Sequence, residues 1–131
     1  MCLSSEHLRG KLVTDCCQFY NADSGTMLLE FVKKAGRGID LLTGYMFQSK
    51  PQEGAGLWLI PCNGVHTFGM RFMLDIILLD RKLTVVQIHF NVRPRRIILP
   101  ANDVYSVLEL PSGRLANRLQ PGDNLTVKMT H

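Results

Sequence analysis

The stretch FMLDIILLD, Phe72 to Asp80, decides how this chain is read. It is apolar at almost every position from Phe72 to Leu79, with one carboxylate, Asp75, set inside it. A strand with one solvated face would alternate, so a run apolar on both faces predicts an interior strand covered on both sides. The next residues support a hairpin. DRKL, Asp80 to Leu83, reads as a tight connection, although it lacks the usual glycine. From Thr84 to Asn91 the chain alternates, with Val86, Ile88 and Phe90 facing one way and Gln87, His89 and Asn91 the other. That predicts a half-exposed partner strand.

Outward from this hairpin the same pattern recurs. Upstream, LWLIP is a strand, and Asn63–Gly64 marks a turn before the segment VHTFGMR. Downstream, Val104 to Leu110 is a strand, then come the turn PSG, a short turn of helix in RLANRL, the turn PGD, and a last strand from Leu125 to Met129. KLVTDCCQFY reads as a first strand ended by NADSG. One helix is expected after it. Thr26 is a plausible N-cap, Leu28, Phe31, Val32 and Ala35 recur at helical spacing, Lys33 and Lys34 occupy the last turn, and Gly36 and Gly38 can end it. IDLLTGYMF is read as a further short helical turn. Many short strands at close spacing predict a mainly β fold: a small sandwich or jelly-roll-like domain, or a partly closed barrel, with one packed α-helix.

The bulk numbers fit this reading. A chain of 131 residues is expected to form a single domain over 1–131. It should bury about two-thirds of its unfolded surface, enough for a core without staples. Apolar residues make up 46% and charged residues 20%, which argues against disorder. The net charge of +4 is uneven. Residues 1–70 carry six basic and six acidic side chains, and 71–118 carry eight basic and four acidic. The excess is densest in RPRR, where Arg93, Arg95 and Arg96 could contact an anionic group. A nucleic-acid footprint would need a longer basic stripe with stacking aromatics, so that class is set aside. No secretory signal is visible at the N-terminus, and no run reaches the ~18 apolar residues of a membrane helix. A cytoplasmic protein with no membrane contact is expected, with Cys2, Cys16, Cys17 and Cys62 as thiols. Of the adjacent Cys16 and Cys17, at least one should be buried.

Several short motifs occur in an order that resembles a known family. They are the Gly-Leu approach in EGAGLWLIPC, the turn VHTFGMR, the strand FMLDIILLD closing on Leu-Asp, VYSVLELPSG, and the terminal QPGDNL. Together, over 54–125, they resemble the uncharacterised bacterial and archaeal family catalogued as domain of unknown function 192. The N-terminal strand and helix, 11–36, would pack on that block. The resemblance implies a small, mainly β domain related to jelly-roll sandwiches and brings no activity with it. This chain departs from the family pattern at Met73, where members often carry proline, and in the hairpin after Asp80, which lacks the family's usual glycine.

Candidate chemistry concentrates between Cys62 and Asp75. A thiol and an imidazole four residues apart, Cys62 and His66, could form a nucleophile and base, with Asp75 or Glu109 orienting the ring. No nucleophile signature surrounds them. Structural zinc would need two close ligand pairs, and only one is visible, so no metal and no cofactor is expected. Asp75, on a face with Met73, Ile77 and Leu79, needs hydrogen bonds or a charge partner. Arg71 lies on that face but roughly 13 Å away along an extended strand, which leaves backbone donors from HTFGM as candidates. The simplest role for Asp75 is to pin this turn onto the sheet. Glu109 alternates with Leu108 and Leu110 and could face solvent. The preferred function is a non-catalytic ligand-binding or interaction module. Its binding candidates are His66, Thr67, Met70, Arg71, Asp75 and Glu109, and its partner is a small molecule or a protein. The alternative is a small hydrolase- or transferase-type enzyme using Cys62, His66 and a carboxylate. A monomer or homodimer is expected.

Overall fold

The computed structural model describes residues 16–35, 55–68, 70, 72–115 and 118–130. Through them run β1 (Cys16–Asn21), β2 (Met27–Ala35), β3 (Ala55–Leu59), β4 (Val65–His66), β5 (Leu74–Leu79), β6 (Val85–Val92), β7 (Ile97–Ile98), β8 (Ser106–Pro111) and β9 (Leu125–Thr130). Seven strands form one sheet in the order β6-β5-β8-β3-β2-β1-β9, and β4 pairs with β7 separately. All pairings are antiparallel except that of β2 with β3, which is parallel.

The interior-strand reading of Phe72–Leu79 is seen in β5. It pairs with β6 on one side and β8 on the other, and all six of its residues are buried. β3 and β8 are buried throughout as well. Their side chains divide between two faces. On one, Trp58, Ile77, Leu79, Leu108 and Leu110 join Phe19, Val32, Val85 and Leu125 in a single cluster. On the other, Leu57, Leu59, Leu74, Ile76, Leu78 and Val107 pack with Met70, Val92 and Val104. The Trp58 cluster draws residues from both ends of the sheet, so the sheet curls around it. The two outermost strands meet at one end. Val85 N donates to Asp123 O (2.8 Å), Gly122 N donates to Val85 O (2.8 Å), and Leu125 N donates to Leu83 O (2.9 Å). The result is a partly closed barrel, one of the two mainly β forms expected.

The expected helix is not there: Met27–Ala35 is strand β2, and no helix occurs among the described residues. The apolar positions that matched a helical stripe do not share a buried side. Leu28, Leu29 and Val32 are buried while Phe31 is exposed. Pairing on both sides, with β1 and with β3, overrides a periodicity that a short apolar window satisfies by coincidence. Thr26 caps nothing. Its carbonyl accepts from Asn21 N (2.9 Å) across the NADSG turn, where Gly25 takes φ +76°. The second expected helical turn, IDLLTGYMF, lies outside the described residues. In RLANRL, Arg118 N donates to Leu115 O (2.9 Å), closing one turn. Of the cysteine pair, Cys17 is buried and Cys16 is half-buried.

β6 also departs from its expected alternation. Its register against β5 shifts between Leu78 and Leu79 and again between Leu74 and Ile76. The first bulge sends Val86 to the Leu57 cluster while Ile88 packs on the Trp58 cluster. An extra residue in one strand reverses the facing of the residues beyond it. The DRKL hairpin forms without glycine. Leu83 takes φ +65°, a conformation glycine adopts freely, and Asp80 Oδ1 holds the turn by accepting from Lys82 N (2.8 Å) and Thr84 N (2.9 Å). No helix among the described residues is long and apolar enough to cross a membrane.

Candidate functional site

Asp75 sits on the Trp58 face of β5, at 1% exposure. Its hydrogen-bond donors among the described residues do not come from the HTFGM turn. Oδ1 accepts from Asn91 N (2.9 Å) and Ser112 Oγ (3.3 Å), and Oδ2 accepts from Gly113 N (3.2 Å). Ser112 Oγ also meets Asn91 Oδ1. Asn91 lies at the second bulge of β6 with φ +55°, a conformation asparagine tolerates better than most residues. The bulge breaks the ladder there, and Asp75 takes the amide that results. The carboxylate therefore clamps β5 to β6 and to the turn after β8. Arg71 lies outside the described residues.

The clamp expected of Asp75 on the HTFGM turn belongs instead to Thr67, which is fully buried. Thr67 N donates to Arg96 O (2.8 Å), and its carbonyl accepts from Arg95 N (3.1 Å). Its Oγ1 donates to Arg93 O (2.7 Å) and accepts from Arg96 N (2.8 Å). One side chain and its backbone thus hold the whole RPRR turn, including Arg95 at φ +67°. Thr67→Val keeps the shape and removes the hydroxyl, leaving the Arg96 amide and the Arg93 carbonyl each short of a partner. The expected cost is about 2–4 kcal/mol in urea denaturation. Trypsin is expected to cut the folded variant after Arg95 or Arg96 sooner than the parent protein.

His66 is half-buried on β4. Its Nδ1 accepts from Phe68 N (3.3 Å), and its ring lies 5.2 Å from that of the exposed Phe68. Cys62 is elsewhere in its bonding: Sγ donates to Gly64 O (3.1 Å), and Cys62 N donates to Tyr105 O (2.9 Å). Cys62 packs on the Leu57 cluster, across the sheet from Asp75. The structure therefore does not bring Cys62, His66 and Asp75 together. Burial pushes the Cys62 thiol above its ordinary value, the Gly64 carbonyl contact pulls it back in part, and Glu109 raises it further. That is the reverse of what a thiolate nucleophile needs. Among the described residues no three His, Cys, Asp or Glu side chains are grouped to hold a metal ion.

Glu109 does not face solvent; it is fully buried. In register it lies between Leu57 of β3 and Ile76 of β5, both on the Leu57 face, so its side chain shares that face with them. Among the described residues neither carboxyl oxygen has a hydrogen-bond partner. Trp58 Nε1 and Ser106 Oγ are also buried without partners, but a carboxyl is the more expensive group to leave bare. Burial pushes Glu109 up to about 8, so it is mostly a neutral acid at pH 7. Above this face, Cys62 and Val104 belong both to the Leu57 cluster and to the wall of a surface concavity of about 270 Å³, shared with Pro61, Asn63 and Tyr105. Met70, also expected at a site, is buried in the same cluster. The structure thus gathers Cys62, Met70 and Glu109 on one face, with His66 and Thr67 on the neighbouring β4 segment.

Tyr105 and Val104 were missed in the sequence, where they read as the start of a strand. Tyr105 lies under the Arg81 guanidinium at 4.0 Å, and both residues also wall a second concavity of about 380 Å³ beside the hairpin. The burial of Glu109 had a signal: Val107 and Leu108 are apolar on successive positions, as in β5, and mark an interior strand.

Residues 22–127 match the family DUF192, described as "Uncharacterized ACR", a span that begins well before the 54–125 block of motifs. Two solved structures share the fold. One is a protein of unknown function from Novosphingobium aromaticivorans DSM 12444, with TM-score 0.68 and 23% identity over 85% of this chain and 83% of that one. The other, from Sinorhizobium meliloti 1021, is described as "a putative transcription regulator", with TM-score 0.72 and 23% identity over 87% of this chain and 93% of that one. Comparison with curated proteins gives no match.

Proposed function

The chain belongs to the DUF192 family, and from that premise we propose that it is a small binding protein whose site lies on the Leu57 face, with Glu109 as the floor. The observation that carries this reading is the fully buried carboxyl with two bare oxygens. Buried polar groups in native proteins are nearly always satisfied, and one that is not calls for a missing partner. A ligand offering N–H donors would supply it. An amine or guanidine fits best, because it can replace the acid proton and turn a neutral acid into a paired carboxylate. Cys62 and Val104 pack on this face and also wall the open concavity beside Tyr105, so a ligand entering there reaches Glu109 by displacing these two side chains. Binding is favoured over catalysis because the thiol beside the site is held protonated and bonded to Gly64 O.

Native mass spectrometry of the purified protein is expected to find a retained small molecule that Glu109→Leu does not retain. With an empty preparation, ethylamine, guanidinium and arginine serve as probes. At least one should raise the Tm of the parent protein and not of Glu109→Leu. It should also release protons on binding at pH 7, read by calorimetry in buffers of different ionisation enthalpy. Equal shifts in both proteins, or no shift and no retained mass, would sink the reading.

A further inference from the structure

β6 is an outermost strand of the large sheet, and its inner edge pairs with β5. Its outer edge is engaged at Val85 by Gly122 and Asp123. From Val86 to Val92, no other strand among the described residues pairs with it. Natural edge strands are guarded by lysine, proline, a bulge or a covering element, because unpaired N–H and C=O groups template a new strand. The outer part of β6, QIHFNV, has neither lysine nor proline, and its two bulges leave Gln87 to His89 in regular register between them. Beside it runs a groove of about 530 Å³ lined by Ile88, Phe90, Arg93, Arg96, Ile97 and Ile98 among others, and by no acidic residue. Phe90 is 48% exposed and Ile97 60%. The two arginines come from the turn that Thr67 fixes in place. An open strand edge, exposed apolar side chains and two arginines on a backbone that Thr67 holds therefore meet beside one concavity.

We propose that this groove docks an extended acidic segment of a partner protein, added as a strand along β6. The partner's backbone would pair with the open edge, its alternate apolar side chains would cover Phe90 and Ile97, and its carboxylates would meet Arg93 and Arg96. Charge selects this occupant over a second copy of the chain. Antiparallel pairing of β6 with itself would set Arg93 and Arg96 of one copy near Arg81 and Lys82 of the other. An acidic partner turns the same charges into attraction and faster encounter. This site is separate from the Glu109 face, and neither proposal depends on the other.

The test is fluorescence anisotropy with a labelled, acetylated peptide of alternating Glu and Val. Two control peptides carry Lys in place of Glu, or have Pro placed at alternate positions to remove N–H donors. Saturable binding is expected for the Glu peptide alone, weakening as salt rises. The double variant Arg93→Glu/Arg96→Glu should weaken binding at least about tenfold. It changes only exposed side chains, and circular dichroism checks its fold. Phe90→Ser is the second variant, expected to weaken binding without altering the charge of the groove. The proposal is overturned if the Glu peptide does not bind, if the Pro peptide binds as well, or if charge reversal leaves affinity unchanged. It is also overturned if sedimentation shows a dimer that Gln87→Pro dissociates, which would assign the edge to a second copy.

Discussion

Between pH 5 and pH 8 the folded protein is expected to lose stability, and Glu109→Gln is expected to remove most of that loss. The folded Glu109 keeps its proton up to about pH 8, whereas in the unfolded chain it ionises near 4.5. Between these values unfolding releases a proton, so raising the pH drives unfolding. The stabilisation is complete below the unfolded value and is gone once the pH passes the folded one. With about 1.4 kcal/mol per pH unit at the limit, the total is on the order of 4 kcal/mol. Urea denaturation of both proteins at pH 5 and pH 8 measures it. The other ionisable groups are common to both, so the difference between the two curves isolates this carboxyl. Glu109→Leu is expected to be more stable than the parent at pH 8 by a few kcal/mol, because it replaces a bare buried acid with an apolar side chain. A carboxyl that costs stability where it lies is what a binding site requires and a scaffold does not. If the ligand-free parent protein is equally stable at both pH values, Glu109 has a partner within the protein itself, and the ligand reading fails with it.

Asp75→Ala is expected to cost about 3–5 kcal/mol. It strips the acceptor from the amides of Asn91 and Gly113 and from the Ser112 hydroxyl at once. Asp75→Asn keeps one acceptor oxygen but sets an amide donor against a backbone donor, and about half that cost is expected. Hydrogen exchange gives a more specific reading. In either variant the Asn91 and Gly113 amides should lose protection while those of β3 keep theirs. An Asp75→Asn protein within about 1 kcal/mol of the parent would show that the carboxylate is not the clamp. No ligand dependence is expected from this residue, since it lies on the opposite face of the sheet from Glu109.

The contrast between these two carboxyls shows where sequence reading reached and where it stopped. Asp75 is visible as a polar residue inside an apolar run, and its need for hydrogen bonds comes from that alone. The donors were not visible, because they come from 16 and 37 residues downstream and from a bulge that no local pattern announces. Glu109 was misread by its immediate neighbours. Alternation with Leu108 and Leu110 suggests a solvated face only if that face is uncovered, and in this fold Cys62, Val65, Met70, Phe72, Ile98 and Val104 are among the side chains that cover it. β2 failed for a related reason. Leu28, Phe31, Val32 and Ala35 meet a helical template in isolation, and only the presence of β1 and β3 on either side makes strand the better conformation. β6 lost its clean alternation to two bulges, which pairing with β5 creates.

The family motifs, the interior strand at Leu74–Leu79, the glycine-free hairpin after Asp80 and the mainly β class were all legible without coordinates. Each rests on local chemistry: which residues avoid water, which accept a positive φ, and which spacing a pleated strand imposes. The tertiary structure alone decided that Asp75 and Glu109 lie on opposite faces, that Thr67 ties the HTFGM turn to RPRR while Asp75 clamps β5 to β6, and that Cys62 and His66 are not hydrogen-bonded to each other. Facing and convergence depend on strand order and register, and these are fixed by contacts between residues far apart in the chain.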